Sequence, residues 1–443
     1  MVTASQLRDR VDARFDESIE ILSSLVRIPS FAGPEAPPGA LRRSAERVAE
    51  LLTGVGAQDV AIVEAGGGPA VIGRIDVDPA APTVLLYAHH DVQPVADDWS
   101  SDPWTPVVRD GRLYGRGVAD DGAGIAVHVG ALTALGADLG VNIRFFIEGE
   151  EESGSPTFGA LLAAHRDALA ADIAVIADSA NRSPDTPSLT TSLRGLADLT
   201  VTVKVADRGV HSGMWGGVYL DAVTSLARLI ATLHDADGSV AVPGLAPTGH
   251  SPDLLTEAQA RRIAGLVPGL KLIGSGSVTD RVWWGASITV IGLDCTPIAR
   301  ASNTLQPVAR AELSVRVPPG VDPLAAQRAV RDHLLANAPF GAEIEITDGE
   351  IGSGFVAATS GRAYQLAAQT LTEAYESPMT PLGQGGSIPL TAELQAVFPD
   401  MEILITGVED GDSRAHAGDE SESLDMLRRA ILAEALLFAR LAP

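Results

Sequence analysis

Apolar residues change their spacing several times along the chain, and each change marks an element. Leu7, Val11, Phe15, Ile19, Leu22 and Val26 recur at helical intervals, which predicts one amphipathic helix closed by Pro29. A second is expected over 41–52, after a Pro/Gly loop at 32–39. Short strands at 59–63 and 70–76 flank Gly66-Gly67-Gly68-Pro69, which lacks the Gly-Lys-Ser/Thr of a phosphate loop and reads as a turn. From Thr83 strands and helices alternate, with strands at 83–88, 142–148 and 172–177 and helices at 122–137 and 157–169. That order predicts an α/β fold: a mainly parallel mixed sheet covered by helices.

After Arg194-Gly195 the texture changes. Residues 197–205 alternate like a half-exposed strand, 219–233 read as a helix, and 235–280 are irregular. Strands at 287–291 and 308–317, a helix at 322–335 and a strand at 342–347 complete a βαββαβ-like group. This predicts a smaller α+β domain over 195–353, inserted into a first domain made of 1–194 and 354–443. The closing segment carries a helix at 361–375, a glycine-rich turn at 383–387, a strand at 402–405 and an amphipathic helix at 424–441.

A length of 443 residues suits two domains. The net charge of −25 argues against nucleic acid or an anionic membrane as a partner. Cys295 is the single cysteine, so no internal disulfide can form and a reducing compartment fits. Residues 1–10 are polar, without the apolar region of a signal peptide, and no apolar run is long enough for a bilayer. A cytoplasmic protein is expected.

The candidate chemistry collects at strand ends. The run Ile143–Ile147 opens into Glu148, Glu150, Glu151 and Glu152, an acidic group that either sits in solvent or surrounds a cation. The strand from Thr83 runs into His89-His90-Asp91-Val92-Gln93-Pro94, where His89 and Asp91 share a face, as a liganding imidazole and its carboxylate partner would. Asp120 and Asp121 stand at a helix start, where one can be an N-cap. Asp178 follows the apolar 173–177, and His416 lies late in the chain. Parallel strands place such ends on one edge. Histidine and carboxylate donors without cysteine suit zinc, cobalt or manganese. Five candidate ligands suit two ions sharing a carboxylate.

The ordered motifs His-x-Asp-Val-Gln-Pro, Gly-Arg-Gly-x-x-Asp-Asp, Glu-Glu-Ser-Gly-Ser, Ala-Asp-Ser and a late His resemble the co-catalytic zinc peptidases and aminoacylases, across nearly the whole chain. That family includes carnosinases, carboxypeptidase G, acetylornithine deacetylase and succinyl-diaminopimelate desuccinylase. Thr191-Ser-Leu-Arg194-Gly195, His211-Ser-Gly213, Ser314-Val-Arg316-Val-Pro318 and Gly385-Gly-Ser387-Ile-Pro389 are most similar to the carnosinase-like dipeptidase branch. The resemblance implies a zinc-exopeptidase fold whose insert is a lid that also dimerises. It implies one ion held by His89, Asp120 and Asp178 and a second by Asp120, Glu152 and His416. Glu151 would be the general base for a hydroxide shared by the ions, with Asp91 clamping His89. His211 would reach across a homodimer to the oxyanion. Thr304, Arg316, Gly386 and Ser387 would bind substrate, Arg316 gripping its C-terminal carboxylate. The implied activity is hydrolysis of dipeptides or short peptides with a free C-terminus, with N-acyl-amino-acid deacylation as the alternative. Gly122, Asn303 and Ala417-Gly418-Asp419 depart from the common pattern, which bears on substrate preference and leaves every proposed ligand in place.

Overall fold

The computed structural model describes residues 2–95, 98–252, 254–386 and 389–442. They form two compact units, one comprising Met1–Thr191, Ala357–Leu382 and Glu393–Pro443, the other Ser192–Val356 and Gly383–Ala392. The strip Gly383–Ala392 thus belongs with the second unit although it follows the first helix of the closing segment.

The first unit is built on a six-stranded sheet in the order Gln58–Val63, Ala70–Ile75, Asn142–Glu148, Thr83–His89, Ile173–Ile176, Glu402–Ile405. The first two pairings are antiparallel and the remaining three parallel. The central strands are apolar throughout because both faces are covered: Val84, Leu86, Ile143, Phe145 and Val175 are buried. One covering helix, Gly122–Leu135, is buried almost all round and so carries no amphipathic stripe. The chain leaves Thr83–His89, returns as Asn142–Glu148 on one side of it, then crosses to Ile173–Ile176 on the other. That reversal is the switch point at which open α/β sheets hold ligands.

The N-terminal helix expected as one piece is two, Ala4–Ala13 and Phe15–Val26. Arg14 leaves the helical region at φ −118°, ψ 11°, and Asp16 and Glu17 then begin a fresh helix with acids at its positive end. Val11 and Phe15, on either side of the corner, are both buried, so the apolar spacing survives the break.

In the second unit, strands Ser287–Asp294, Val308–Val317, Gly195–Lys204 and Glu343–Gly352 form an antiparallel sheet in that order. Alternate residues of Gly195–Lys204 are buried, and Ala197, Leu199, Val201, Leu313, Val315 and Val317 join a core with Leu226, Leu229 and Val330 from the helices Ala222–Ala231 and Pro323–Ala336. Two short helices, Glu257–Ile263 and Val278–Trp283, occupy the stretch expected to be irregular.

A buried ion pair ties three layers of the first unit together. His128 Nδ1 is 2.9 Å from Glu434 Oε1 on the helix Leu424–Leu441, and its Nε2 is 3.0 Å from the Tyr87 carbonyl. With an acceptor at each nitrogen the ring is protonated. Burial lowers its proton affinity, but Glu434 outweighs burial and the pKa lies above 6.5. Glu434→Gln is expected to cost about 3–5 kcal/mol in urea denaturation run below the ordinary imidazole pKa, since it takes the charged partner from a buried imidazole. In the parent protein the pair's contribution is fully present below the ordinary imidazole pKa and fades as pH rises through the elevated one; in the variant that fading should be absent.

Candidate metal centre

Parallel register brings the candidate residues to one edge of the first unit's sheet. His89 ends its strand opposite Glu148, and Tyr87 pairs with Ile176, two residues before Asp178. The strand Asn142–Glu148 turns into a short 3-10 segment, Glu151–Ser153, that presents Glu151 and Glu152. Asp120 precedes the helix Gly122–Leu135, and His416 arrives in the loop beyond Glu402–Ile405 at φ 64°.

The centre of the arrangement is Asp120. Its Oδ1 is 2.9 Å from His89 Nε2, and its Oδ2 is 2.9 Å from His416 Nε2. His416 Nε2 is also 3.2 Å from Glu152 Oε2. Donor atoms of His89, Asp120 and Asp178 all lie within 4.8 Å of one another, as do those of Asp120, Glu152 and His416. The two triads share one carboxylate.

Asp91 sits behind this group. Its carbonyl is 3.0 Å and its Oδ1 3.5 Å from His89 Nδ1, so the far side of the imidazole is held and Nε2 is turned toward Asp120. The same carboxylate accepts from Glu151 N at 3.2 Å and Glu152 N at 3.0 Å. One buried group therefore orients the ring and both neighbouring glutamates.

Protein charges alone leave the acids crowded. Burial first, then repulsion from Asp120, Glu152 and Asp91 against the pull of His89, lifts Glu151 to about 7. Burial, with repulsion from Glu151, Asp120 and Glu152, lifts Asp178 well above the carboxylate range. His416 is raised to about 10 by its bonds to Asp120 and Glu152, a proton standing where positive charge is needed. Carboxylates and imidazoles without thiolates, set around one shared carboxylate, fit a pair of divalent cations.

The other acids of the motifs have different duties. Asp121 caps the helix Gly122–Leu135 through Gly124 N at 3.1 Å and accepts from His89 N at 3.1 Å. Glu148 accepts from the Tyr87 hydroxyl at 2.7 Å. Glu150 accepts from Gly68 N and Thr157 N, each at 2.7 Å. The glycine-rich turn makes room for it, since a Cβ at Gly67 would collide with its carboxylate and one at Gly68 with the Gly149 carbonyl.

Five further candidates belong to the second unit, four of them among the described residues. His211 and Thr304 are direct partners across a two-residue antiparallel pairing. His211 is exposed, and its Nδ1 accepts from Gly213 N at 3.0 Å, which leaves Nε2 as the protonated nitrogen. Arg316 is half-buried on the strand Val308–Val317, and Gly386 is exposed. Ser387 lies outside the described residues.

Two contributors escaped the sequence reading. Gln93 Nε2 donates to Glu152 Oε2 at 2.8 Å and holds that carboxylate; its place in Asp91-Val92-Gln93 was the available signal. Glu420 is fully buried, with Oε2 2.7 Å from Arg116 Nη1 and 3.1 Å from Gly117 N, and Oε1 3.0 Å from Ala119 N and 3.2 Å from Asp120 N. It fastens the loop that carries Asp120 to the loop that carries His416, and nothing in local spacing announces a contact over 300 positions.

Comparison with known proteins gives a consistent picture. The family model for peptidase family M20/M25/M40 matches residues 85–440. A cysteinylglycine-S-conjugate dipeptidase of Corynebacterium striatum is 36% identical over 366 residues, covering 80% of each chain. A Beta-Ala-His dipeptidase of Mus musculus is 33% identical over 256 residues, 53% of this chain and 52% of the other. The crystal structure of human carnosine dipeptidase 1 superposes with a TM-score of 0.80 at 23% identity, covering 100% of this chain and 99% of that one. An M20 family metallo-carboxypeptidase from Sulfolobus solfataricus gives 0.79 at 21% identity, over 96% and 99% of the two chains. At these identities the superpositions establish the fold.

Glu420→Gln removes the charge that holds Arg116 and weakens the grip on the Asp120 amide. Affinity for the more weakly held ion, followed by titrating metal into stripped protein, should fall by about 10–100-fold. An unchanged metal isotherm would reduce Glu420 to a packing residue.

Proposed function

The chain belongs to peptidase family M20/M25/M40 and is a metallodipeptidase; from that premise we propose how its residues divide the work. The observation that carries the reading is the Asp120 carboxylate, with one oxygen facing each imidazole. On this reading His89, Asp120 and Asp178 hold one divalent ion, and Asp120, Glu152 and His416 hold the other. Zinc is the metal we favour from the donor set, with manganese or cobalt as alternatives. When bound, such a pair supplies Lewis-acid polarisation of the scissile carbonyl and acidifies water.

The remaining steps belong to the chain. Glu151 accepts a proton from the attacking water as its oxygen bonds to the carbonyl carbon. As the carbon–nitrogen bond breaks, Glu151 returns that proton to the leaving amine. Its raised proton affinity suits both halves of the cycle. Asp91 and Gln93 hold His89, Glu151 and Glu152 in register meanwhile.

We further propose that the second unit, with 195–353 at its heart, is a lid and dimerisation domain. Its exposed His211 would donate from Nε2 to the oxyanion of a partner subunit's substrate, with Thr304 beside it. Arg316, Gly386 and Ser387 would receive the substrate's C-terminal end. The substrate is then a dipeptide or short peptide with a free C-terminal carboxylate. A single, exposed Cys295 suits the cytoplasm. Among the described residues no helix is long and apolar enough to cross a membrane.

Glu151→Gln should lower turnover of unblocked dipeptides by about a hundred- to ten-thousand-fold while metal content, read by elemental analysis, stays at the parent value. Loss of metal in that variant would mean that base and ligand had been exchanged. Mixing the Glu151→Gln protein with His211→Ala should restore part of the activity if the histidine serves the partner's site. Faster cleavage of N-acetyl or N-succinyl amino acids than of dipeptides would instead favour the deacylase reading.

A further inference from the structure

Arg194 stands immediately before the strand Gly195–Lys204, two residues from Leu196, which pairs with Arg316. Arg316 pairs in turn with Ser287 on its other side. Side chains alternate along strands, so Arg194, Leu196, Arg316 and Ser287 share the sheet face opposite the one that buries Ala197, Val315 and Val317. The two arginines therefore come from neighbouring positions on one face.

Among the described residues neither has an acidic partner. Arg194 Nη1 reaches the Gly285 carbonyl and Ser287 Oγ, each at 3.3 Å, and its Nε reaches the Gly385 carbonyl at 3.3 Å. All three acceptors are uncharged, and all are at the long end of hydrogen-bond range. Nη2 has no acceptor among the described residues, and a Cβ at residue 385 would lie 2.7 Å from it, so glycine keeps the space before it clear. The Arg316 side chain makes no hydrogen bond or ion pair among the described residues. Burial first, and then Arg316, pushes the Arg194 guanidinium down to about 10.

Such a pair is out of keeping with this chain, where 57 acidic residues face 32 lysines and arginines. Holding two like charges together in a partly buried place is unfavourable unless an anion joins them. Two planar forks also match the two oxygens of one carboxylate, which can accept from both at once. A simpler role, pinning the Gly385 turn, accounts for the contact through Nε. It leaves Nη2, the cleared space and the adjacent unpaired Arg316 without a reason.

We propose that Arg194 is a second guanidinium for the C-terminal carboxylate of the peptide substrate, acting with Arg316, and so sets the preference for a free acid over an amide at that end. The proposal rests on the dipeptidase reading for the identity of the anion, and on the second unit's geometry for its place.

The test compares Cys-Gly with its C-terminal amide on the metal-loaded full chain carrying Arg194→Gln or Arg194→Lys. With Arg194→Gln, KM for the free acid should rise about 10–100-fold with kcat within about threefold, and kcat/KM for the amide should stay within about threefold. Arg194→Lys, which keeps the charge and loses the fork, should fall between. Calorimetric titration of Cys-Gly into Glu151→Gln, with and without Arg194→Gln, reads the same preference without turnover. Equal losses on acid and amide in both variants would mark Arg194 as a structural anchor and overturn the proposal, as would an unchanged KM and unchanged binding. Parent protein that binds Cys-Gly through Arg194 yet cleaves no dipeptide would defeat the functional reading and leave this inference standing.

Discussion

Repulsion among buried carboxylates is the constraint around which the first unit is arranged. Asp91, Asp120, Asp121, Glu148, Glu151, Glu152 and Asp178 all gather at one sheet edge, and most are shielded from water. In such surroundings an acid must be protonated, paired, given several N–H donors, or bound to metal. Pairing and donation by N–H or O–H groups account for most of the seven. Asp91 and Asp121 take backbone amides, Glu148 takes a phenol, and Asp120 takes two imidazoles. Asp178 and Glu151 are left with lifted proton affinities, and they are two of the groups that a cation pair would relieve.

Positioning is divided between near and distant partners. Locally, Asp91 serves the residue two before it and the turn at Glu151 together, so one aspartate holds an imidazole ring and two backbone amides. At a distance, Glu420 accepts four hydrogen bonds from the segment Arg116–Asp120. Asp120 is consequently held by its own backbone as well as by the rings it faces. A site of this kind tolerates little drift, because both triads depend on the same residue.

Sequence patterning was most informative where burial is two-sided or strictly alternating. The strands Asn142–Glu148, Val308–Val317 and Glu402–Ile405 and the helix Leu424–Leu441 run over the spans that their apolar spacing predicts. The break at Arg14 was invisible because the buried positions keep their spacing through it. Strands of three residues, Val107–Arg109, Arg112–Tyr114 and Ser421–Ser423, are too short for any period to register. The helix Pro389–Val397 follows a glycine-rich strip that reads as turn, and was hidden by it. Candidate ligands were legible since His and Asp sit directly at strand ends. Asp121 could not be told from Asp120 by spacing, and only the cap geometry separates a helix-starting aspartate from one facing two imidazoles.

His416 and Glu420 stand about 300 positions downstream of the aspartate they meet. A fragment that stops before residue 416 retains His89, Asp120, Glu152 and Asp178 but lacks the His416 imidazole and the Glu420 carboxylate that meet Asp120. The covering helix Leu424–Leu441 comes later still. Truncation ahead of His416 removes one of the two triads outright and loosens the residue that both share.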